Sequence, residues 1–561
     1  MRAVMNGNFY SLPPFITILR GCSDATSVFH FVMLFVLTSD RKCVIIYLTY
    51  IINAYYFKKE STMKRTVKII AMLLSAIMLI AAFAACAKPD NNGDTTTTDA
   101  AATNAPETTS GEIQDDLPES LKINDSVTFL YWEDVERPEF FVEESKDDGN
   151  IVNTRITERN QKVQERLGVE LKWIGTKGNY SNQKNFVETA NNSVVSGGGY
   201  DVFCGYSMTA ATLAMNGLTQ NLLDLKYITF EKPWWPSSLT DTATVNGKLY
   251  FTSGDISTNM LYMMYATFFN KGMLVEEHPD MTVSDLYNTV KNGQWTIDKL
   301  IELCQNVYRD ENANGTADYE DRYGFESIDL HFDCFYIGSD LQFLEKNDDG
   351  TLKLSDDVKS DKTMSLLEKL TDFFYNSGFA FTKGTTSKYS SAKAFSEGRA
   401  LFVVDRVYIA SGTLKDVSDF KYGMLPVPKY NEEQSDYRTC MAFPFTLYSI
   451  SVKAKDADAA AATLECLASE GYRRVTPALF EQSMKVRYSD DLEDSLMYDT
   501  IKRTVVMDLS RIFTTPLQNM SYQPFRNTLR DNTAAGWSRK VSTFNNVLKS
   551  SLEKINDTFA K

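Results

Sequence analysis

The protein has 561 residues and a formal net charge of −15 at pH 7. That charge argues against a nucleic-acid partner, because an acidic surface repels a phosphate backbone. Hydrophobic residues make up 43% of the sequence and aromatic residues 12%, which excludes a mainly disordered chain and predicts large buried cores. Only three histidines are present, His30, His278 and His331, and this argues against a histidine-rich zinc site.

The segment from residue 63 to residue 86 has the layout of a secretory signal peptide. A basic start at 63–68 precedes an apolar run at 69–85, which ends at Cys86. The last four residues of the segment, Phe-Ala-Ala-Cys, resemble the bacterial lipobox, although Leu is usual where Phe83 stands. We therefore predict a lipoprotein signal peptide at 63–85 and a lipidated Cys86 as the mature N-terminus. An uncleaved membrane anchor is the alternative.

Two further N-terminal regions flank this signal peptide. Residues 1–62 contain apolar stretches at 29–37 and 43–57, each shorter than the roughly 20 residues that span a bilayer. We interpret 1–62 as an extension upstream of the true start, with an extra membrane segment as the alternative. Residues 86–119 are rich in Thr, Asn, Asp, Ala and Pro, which predicts a flexible tether between the lipid anchor and an extracellular globular part.

Strand and helix patterns alternate along the globular part. A strand at 126–132, a helix at 150–167 and a strand at 169–174 predict an α/β fold with a parallel sheet. Thr296 and Asp458 are predicted helix N-caps. Further strands are predicted at 200–205, 400–404, 422–426 and 446–452, and helices at 210–217, 296–308, 366–375, 392–397, 458–469, 474–485 and 541–559.

The cysteines of the globular part do not form a disulfide pattern. Five remain after residue 86, an odd number, and no CxxC motif occurs. Most stand in apolar surroundings, so we predict small core residues rather than a disulfide framework. They are Cys204, Cys304, Cys334, Cys440 and Cys466.

Four segments together resemble a known family. They are YDVFCGYSMTAATLAMNGLTQNLLDL at 200–225, VNGKLYFTSG at 245–254, AFSEGRALFVVD at 394–405 and YGMLPVPKY at 422–430. Their order and spacing resemble family 1 of the extracellular solute-binding proteins of bacterial ABC importers, the carbohydrate type. The resemblance extends from about residue 125 to residue 559.

This resemblance implies a periplasmic-binding-protein-like fold of two α/β lobes that close by hinge bending over a ligand cleft. The implied crossings are 252–257, 402–406 and 441–446. One lobe would comprise 120–251 and 405–442, and the other 252–404 and 443–561. The implied function is a monomeric, non-catalytic, lipid-anchored receptor at the extracellular face of the membrane. It would deliver a carbohydrate, an oligosaccharide by preference, to ABC importer permease subunits.

Aromatic and planar polar residues at strand ends and crossings are the candidate ligand contacts. Sugar rings stack on aromatic faces, and their hydroxyls bind planar polar groups. Ligands of open α/β sheets lie off the carboxyl ends of strands. The alternatives are solvated loops, core packing and, for Asp405 beside Arg406, a structural ion pair. The candidates are Trp132, Glu133, Asp134, Tyr206, Ser207, Trp234, Trp235, Asp255, Asp405, Arg406 and Phe443.

Residues 310–321 carry oxygen-bearing side chains with the spacing of an EF-hand calcium loop. Gly315 stands at position 6, where the loop turns sharply, and Asp replaces the usual Glu at position 12. A strand rather than an exit helix is predicted after the loop, and a plain polar turn is the alternative. We predict one structural calcium ion, bound by Asp310, Asn312, Asn314, the Thr316 carbonyl, Asp318 and Asp321.

Two other function classes remain as alternatives. The segment 205–209 partly matches a nucleophile elbow around Ser207, but Thr209 replaces the second glycine. A secreted glycoside hydrolase would need two facing carboxylates, which an acidic chain always permits by chance. The other class is a non-catalytic cell-surface protein: either one that binds polysaccharide, or an interaction module such as a dockerin, which uses a tandem pair of such calcium loops where this chain has one.

Overall fold

The computed structural model describes residues 113–143, 150–383, 389–480 and 492–560. The signal peptide at 63–85, Cys86 and the extension 1–62 lie outside the described residues. Within the described ranges, no helix has the length and apolar character needed to cross a membrane.

The strands are short and are numbered here in chain order. They are β1 Ser126–Trp132, β2 Glu170–Thr176, β3 Val202–Tyr206, β4 Tyr265–Asn270, β5 Tyr323–Glu326, β6 Leu344–Lys346, β7 Leu352–Leu354, β8 Ala380–Phe381, β9 Ala400–Arg406, β10 Tyr422–Leu425, β11 Thr439–Cys440, β12 Thr446–Ile450 and β13 Val505–Val506.

The α-helices are identified below by their residue ranges. They are Ile151–Leu167, Gln183–Val195, Ser207–Met215, Ser237–Ala243, Thr258–Tyr262, Lys271–Glu277, Val283–Lys291, Ile297–Cys304, Asp333–Gly338, Asp361–Thr371, Ser391–Ser396, Tyr408–Ser411, Ala457–Glu470, Thr476–Phe480, Leu492–Arg503, Leu509–Ile512, Tyr522–Arg530 and Trp537–Ala560.

The first sheet has the strand order β12-β3-β1-β2. β1 pairs in parallel with β2 and β3, whereas β12 is antiparallel to β3 and brings Thr446 opposite Tyr206. The helix Ile151–Leu167 connects β1 to β2. Asn150 accepts a hydrogen bond from the amide of Val152 at 2.8 Å at its start, and Gly168 ends it with a φ of 61°.

The second sheet has the strand order β10-β4-β9-β5-β8. β4 is antiparallel to both β9 and β10, and β5 is parallel to β8 and β9. All residues of β4 are buried, which agrees with a central strand covered on both faces. The prediction of an α/β fold with two lobes is confirmed, with mixed rather than purely parallel sheets.

The strand pairings correct the predicted lobe boundaries. β10 lies in the second sheet, although 405–442 was assigned to the first lobe, and β12 lies in the first sheet, although 443–561 was assigned to the second. The predicted crossing at 402–406 is also wrong, because these residues form part of β9 inside the second sheet. Predicted crossings remain at 252–257 and 441–446. Thr252 pairs with Tyr448 beside the first sheet, and Met264 pairs with Met441 at the start of β4.

The described end of the predicted tether is bound to the protein. The carboxylate of Asp115 accepts hydrogen bonds from the Arg166 guanidinium at 2.5 Å and from the Ser469 hydroxyl at 2.8 Å. Lys232 contacts Asp116 at 2.6 Å. Residues 113–119 of the range 86–119 are therefore part of the folded unit, because a buried carboxylate holds them in place.

The predicted role of the cysteines is confirmed in the described part of the chain. Cys204, Cys304, Cys334, Cys440 and Cys466 are all buried free thiols. Burial raises the pKa of the Cys304 thiol well above its ordinary value, so this group stays protonated and behaves as a small apolar side chain.

Candidate functional site

A small cavity lies where β3, the segment before β12 and the helix Leu509–Ile512 meet. It encloses about 10 Å³, which is room for one water-sized group. Two of the predicted ligand contacts, Ser207 and Phe443, are in its wall. The lining residues are Ser207, Met441, Ala442, Phe443, Phe445, Val506, Met507, Asp508, Arg511 and Ile512.

Ser207 and Phe443 are held together at this cavity. The Ser207 hydroxyl donates a hydrogen bond to the Phe443 carbonyl at 2.6 Å, and the Ser207 amide donates to the Phe445 carbonyl at 2.9 Å. Ser207 begins the helix Ser207–Met215, so these bonds join the end of β3 to the predicted crossing at 441–446.

Arg511 is a cavity residue that the sequence analysis missed. Its side chain is 6% exposed, and its guanidinium carbon lies 3.8 Å from the centre of the Phe443 ring. Nη1 donates to Asp333, whereas Nη2 has no hydrogen-bond partner among the described residues. The local sequence offers no signal for this role, because Asp333 is 178 positions away in the chain.

Trp132 lies next to the cavity region but serves as a packing residue. Its side chain is buried, with 1% of the residue exposed, and its indole N–H donates to the Thr446 hydroxyl at 2.9 Å. The edge of the ring meets Tyr206 at a centroid distance of 5.3 Å and an angle of 76°. The prediction that Trp132 stacks on a sugar is corrected, because no face of the indole is open to a ligand.

Tyr206 lies within electrostatic range of several charged groups. Burial raises the pKa of its hydroxyl, Arg511 opposes that rise, and Glu136 and Tyr180 add to it. Tyr180 is 63% exposed and is a second aromatic residue that the sequence analysis missed. Tyr206 itself is buried, with 4% of the residue exposed.

Asp405 and Arg406 lie at the end of β9 on the second sheet. The Arg406 guanidinium contacts Glu136, which follows β1 of the first sheet, at 3.2 Å. Asp405 lies 3.7 Å from the ring of His331. Burial lowers the pKa of His331, although Asp405 opposes that change. Arg406 thus joins the two sheets, while Asp405 is buried within the second.

Glu133 and Asp134 form a local ion-pair cluster after β1. Lys177 lies 3.1 Å from a carboxylate oxygen of each of them. Asp134 also accepts from the amide of Gly178 at 2.8 Å, so its main contact is with the loop that follows β2. Neither residue lines the cavity.

Trp234 and Trp235 are core residues, which corrects their assignment as ligand contacts. Both indoles are at most 2% exposed, and their N–H groups donate to Glu465 at 3.1 and 2.8 Å. The Thr229 amide also donates to this carboxylate at 3.2 Å. Burial raises the pKa of Glu465 to about 7. One buried carboxylate thus satisfies two adjacent indoles.

Asp255 is also a structural residue, contrary to the prediction. It accepts a hydrogen bond from the hydroxyl of Thr476, and it is 6% exposed. Burial raises its pKa. The side chain therefore joins the predicted crossing at 252–257 to the helix Thr476–Phe480, away from the cavity.

The loop 310–321 is held by hydrogen bonds from its own backbone and side-chain amides to its carboxylates. Asp310 accepts from the amides of Asn314 at 3.2 Å and Gly315 at 2.8 Å, and Gly315 has a φ of 73°. Asp318 accepts from the side-chain amide of Asn314 at 2.8 Å, and Asp321 accepts from the amide of Asp318 at 3.0 Å. An antiparallel bridge between residues 309 and 322 closes the loop.

These oxygen atoms fit calcium in chemical type, and β5 follows the loop as predicted. In the described part of the chain, however, no set of three or more His, Cys, Asp or Glu side chains converges as metal ligands. Calcium binding would therefore require the loop carboxylates to turn from their own amides towards a common centre.

The hydrolase alternative gains no support at Ser207. Its hydroxyl is used by the Phe443 carbonyl. His278 bonds to the Leu303 carbonyl and His331 to the Val404 carbonyl, each at 2.8 Å. Neither of these histidines has a hydrogen bond to Ser207, so the pair needed for nucleophilic catalysis is not formed by them.

A model of the family described as bacterial extracellular solute-binding proteins matches residues 160–471. A cyclo/maltodextrin-binding protein complexed with maltotetraose is similar, with a TM-score of 0.50 and 12% identity over 77% of this chain and 97% of that one. The GacH receptor of Streptomyces glaucescens has a TM-score of 0.48 and 14% identity over 76% and 98% of the two chains. UgpB from Mycobacterium tuberculosis has a TM-score of 0.47 and 15% identity over 71% and 94%.

The search of curated proteins returned no match. At an identity of 12%, the similarity to the maltodextrin-binding structure shows a common fold and does not assign a ligand.

Proposed function

Because this chain belongs to the bacterial extracellular solute-binding proteins, we propose that it binds a carbohydrate between its two sheets and delivers it to an ABC importer. The carbohydrate is an oligosaccharide by preference. The observation that carries this proposal is the cavity walled by Ser207, Phe443 and Arg511. It lies at the carboxyl end of β3 and beside the crossing at 441–446, where a hinged binding protein holds its solute.

The cavity is too small to hold the proposed solute in this state. About 10 Å³ admits a water-sized group but no sugar ring. The solute therefore enters when the two sheets separate, and binding shifts the population towards a closed, liganded state.

Exposed polar contacts are suited to such a motion. Arg406 meets Glu136 with side chains 23% and 31% exposed, and Arg137 donates to the Ser411 carbonyl at 3.0 Å. A partly exposed ion pair such as Arg406–Glu136 contributes about 0–1 kcal/mol. Breaking this pair therefore costs little, and the energy of the bound solute can decide between the open and closed forms.

The proposed receptor is a monomer and has no catalytic step. Its solute leaves the cleft chemically unchanged. This separates it from the glycoside hydrolase alternative, which would shorten an oligosaccharide on prolonged incubation.

The proposed receptor is anchored through a lipidated Cys86 at the extracellular face of the membrane. The basic, apolar and small-residue order of 63–86 supports this anchor. The importer's permease subunits would then meet a tethered rather than a freely diffusing receptor.

A structural calcium ion in loop 310–321 is a further part of the proposal. The backbone turn at Gly315 and the oxygen-bearing side chains support it. Asp310, Asn312, Asn314, the Thr316 carbonyl, Asp318 and Asp321 would hold the ion. Their role would be to stabilise this loop beside β5, outside the solute cavity.

A thermal-shift screen against mono- and oligosaccharides tests the function, with small-angle scattering on each hit. A solute that binds the native state raises the melting temperature by mass action. The expected result is a stabilising saccharide that also makes the protein more compact. Stabilisation by none of the saccharides, or cleavage of one of them, would refute the proposal.

A further inference from the structure

Arg511 lines the cavity and has a guanidinium nitrogen without a hydrogen-bond partner among the described residues. The residue is 5% exposed, and this nitrogen is Nη2. Around it the wall is largely apolar, with Met441, Phe445 and Ile512 in the lining. A buried charged donor without a partner is energetically unfavourable. A ligand oxygen that accepted a hydrogen bond from Nη2 would remove this cost.

Arg511 has charged neighbours of both signs. Arg511 and Arg526 both bond to the carboxylate of Asp333, which is fully buried. The two guanidinium groups therefore share one buried carboxylate, and Asp508 is a second carboxylate beside Arg511.

Asp508 is the acidic residue among those that line the cavity, and its carboxylate oxygens accept hydrogen bonds from other groups. One accepts from the Arg511 amide at 3.0 Å and from the hydroxyl of Ser510. The other accepts from the Tyr522 hydroxyl at 2.9 Å. Burial raises the pKa of Asp508, while its hydrogen bonds to Ser510 and Tyr522 and the charge of Arg511 oppose that rise. The Asp508 side chain thus makes no hydrogen bond to the free guanidinium nitrogen.

We propose that Arg511 binds a carboxylate of the solute, so that the carbohydrates this protein recognises are acidic oligosaccharides that contain uronic acids. This inference rests on the proposed function. Arg511 lines a cavity with room for one water-sized group, its Nη2 has no hydrogen-bond partner among the described residues, and its guanidinium carbon lies 3.8 Å from the centre of the Phe443 ring. A carboxylate oxygen forms a charge-assisted hydrogen bond with a guanidinium nitrogen, and this bond is stronger than the one a neutral hydroxyl forms.

The test compares matched ligands and matched variants by calorimetry on the purified full-length protein in detergent. The ligands are galacturonate, glucuronate and mannuronate oligosaccharides, each paired with its carboxyl-reduced, neutral counterpart. The variants are Arg511→Lys, which keeps the charge beside Asp333 but loses the second nitrogen, and Arg526→Lys. Arg526 shares Asp333 but does not line the cavity, so it controls for disturbance of that ion pair.

At least one uronate oligosaccharide should bind about 10- to 100-fold more tightly than its reduced counterpart. Arg511→Lys should weaken that binding by a similar factor, and Arg526→Lys should weaken it far less. Equal affinity for the reduced sugars, or equal losses in the two variants, would overturn the inference. Binding of neutral oligosaccharides alone would overturn it while leaving the proposed function intact. Absence of binding to any saccharide would refute the proposed function itself.

Discussion

The Glu465 carboxylate accepts hydrogen bonds from Trp234 and Trp235 and makes the free energy of unfolding depend on pH. A single substitution of Glu465 can measure this dependence. Glu465 is fully buried and accepts three N–H bonds without a cation among these partners. Burial raises its pKa from 4.5 to about 7. We expect Glu465→Gln to remove one specific component of the pH dependence of unfolding.

The sign and size of this component follow from the two pKa values. The folded state binds the proton more tightly than the unfolded state, so the stabilisation is complete below pH 4.5 and disappears as pH rises through about 7. A difference of this size corresponds to about 3 kcal/mol, most of which falls between about pH 5 and pH 8.

The contribution of Glu465 is measured by urea unfolding of the wild type and of Glu465→Gln at several pH values between about 5 and 8. The free energy of unfolding of the wild type, minus that of the variant, should fall by about 2–3 kcal/mol from the acidic to the alkaline end. A difference that stays constant with pH would refute the reasoning, because it would mean that Glu465 titrates normally in the folded protein.

Glu470 on the same helix is the matched control. Burial alone would raise the pKa of the Glu470 carboxyl, but Arg473 and Arg474 lower this pKa below 4.5. Its stabilisation is present at higher pH and is lost only as pH falls through the lowered pKa. Glu470→Gln should therefore show a difference from wild type that is flat across the same window.

The remaining predictions concern packing, calcium and the anchor. Trp132→Ala should destabilise the protein by about 3–5 kcal/mol in urea unfolding, because a buried indole and its bond to Thr446 are lost; a near-zero change would return Trp132 to the list of ligand contacts. A chelator should lower the melting temperature of the wild type but not of Asp310→Ala, because three loop carboxylates repel each other without a cation; identical melting curves with and without chelator would exclude the calcium site. Cys86→Ala should move the protein from the membrane fraction to the medium, and mass spectrometry of the wild type should find a diacylated N-terminal Cys86; a recovered peptide from residues 1–60 would contradict this start.

Local features of the sequence determined much of the secondary structure. The apolar spacing of 150–167 predicts the helix Ile151–Leu167, and Thr296 caps Ile297–Cys304 by accepting from the amide of Lys299 at 3.2 Å. Asp456 rather than the predicted Asp458 caps Ala457–Glu470, with a bond to the Ala459 amide. These features depend on residues a few positions apart, so a sequence displays them directly.

The site and the lobe boundaries were decided by contacts between distant segments. β12 joins the first sheet and β10 the second because of their hydrogen-bond partners, which no local pattern encodes. Trp234 is buried because Glu465, 231 positions away, accepts its N–H. Arg511 lines the cavity because Asp333 and Phe443 hold its guanidinium. Residue type alone suggested aromatic ligand contacts, whereas burial and long-range pairing left an arginine nitrogen as the open donor.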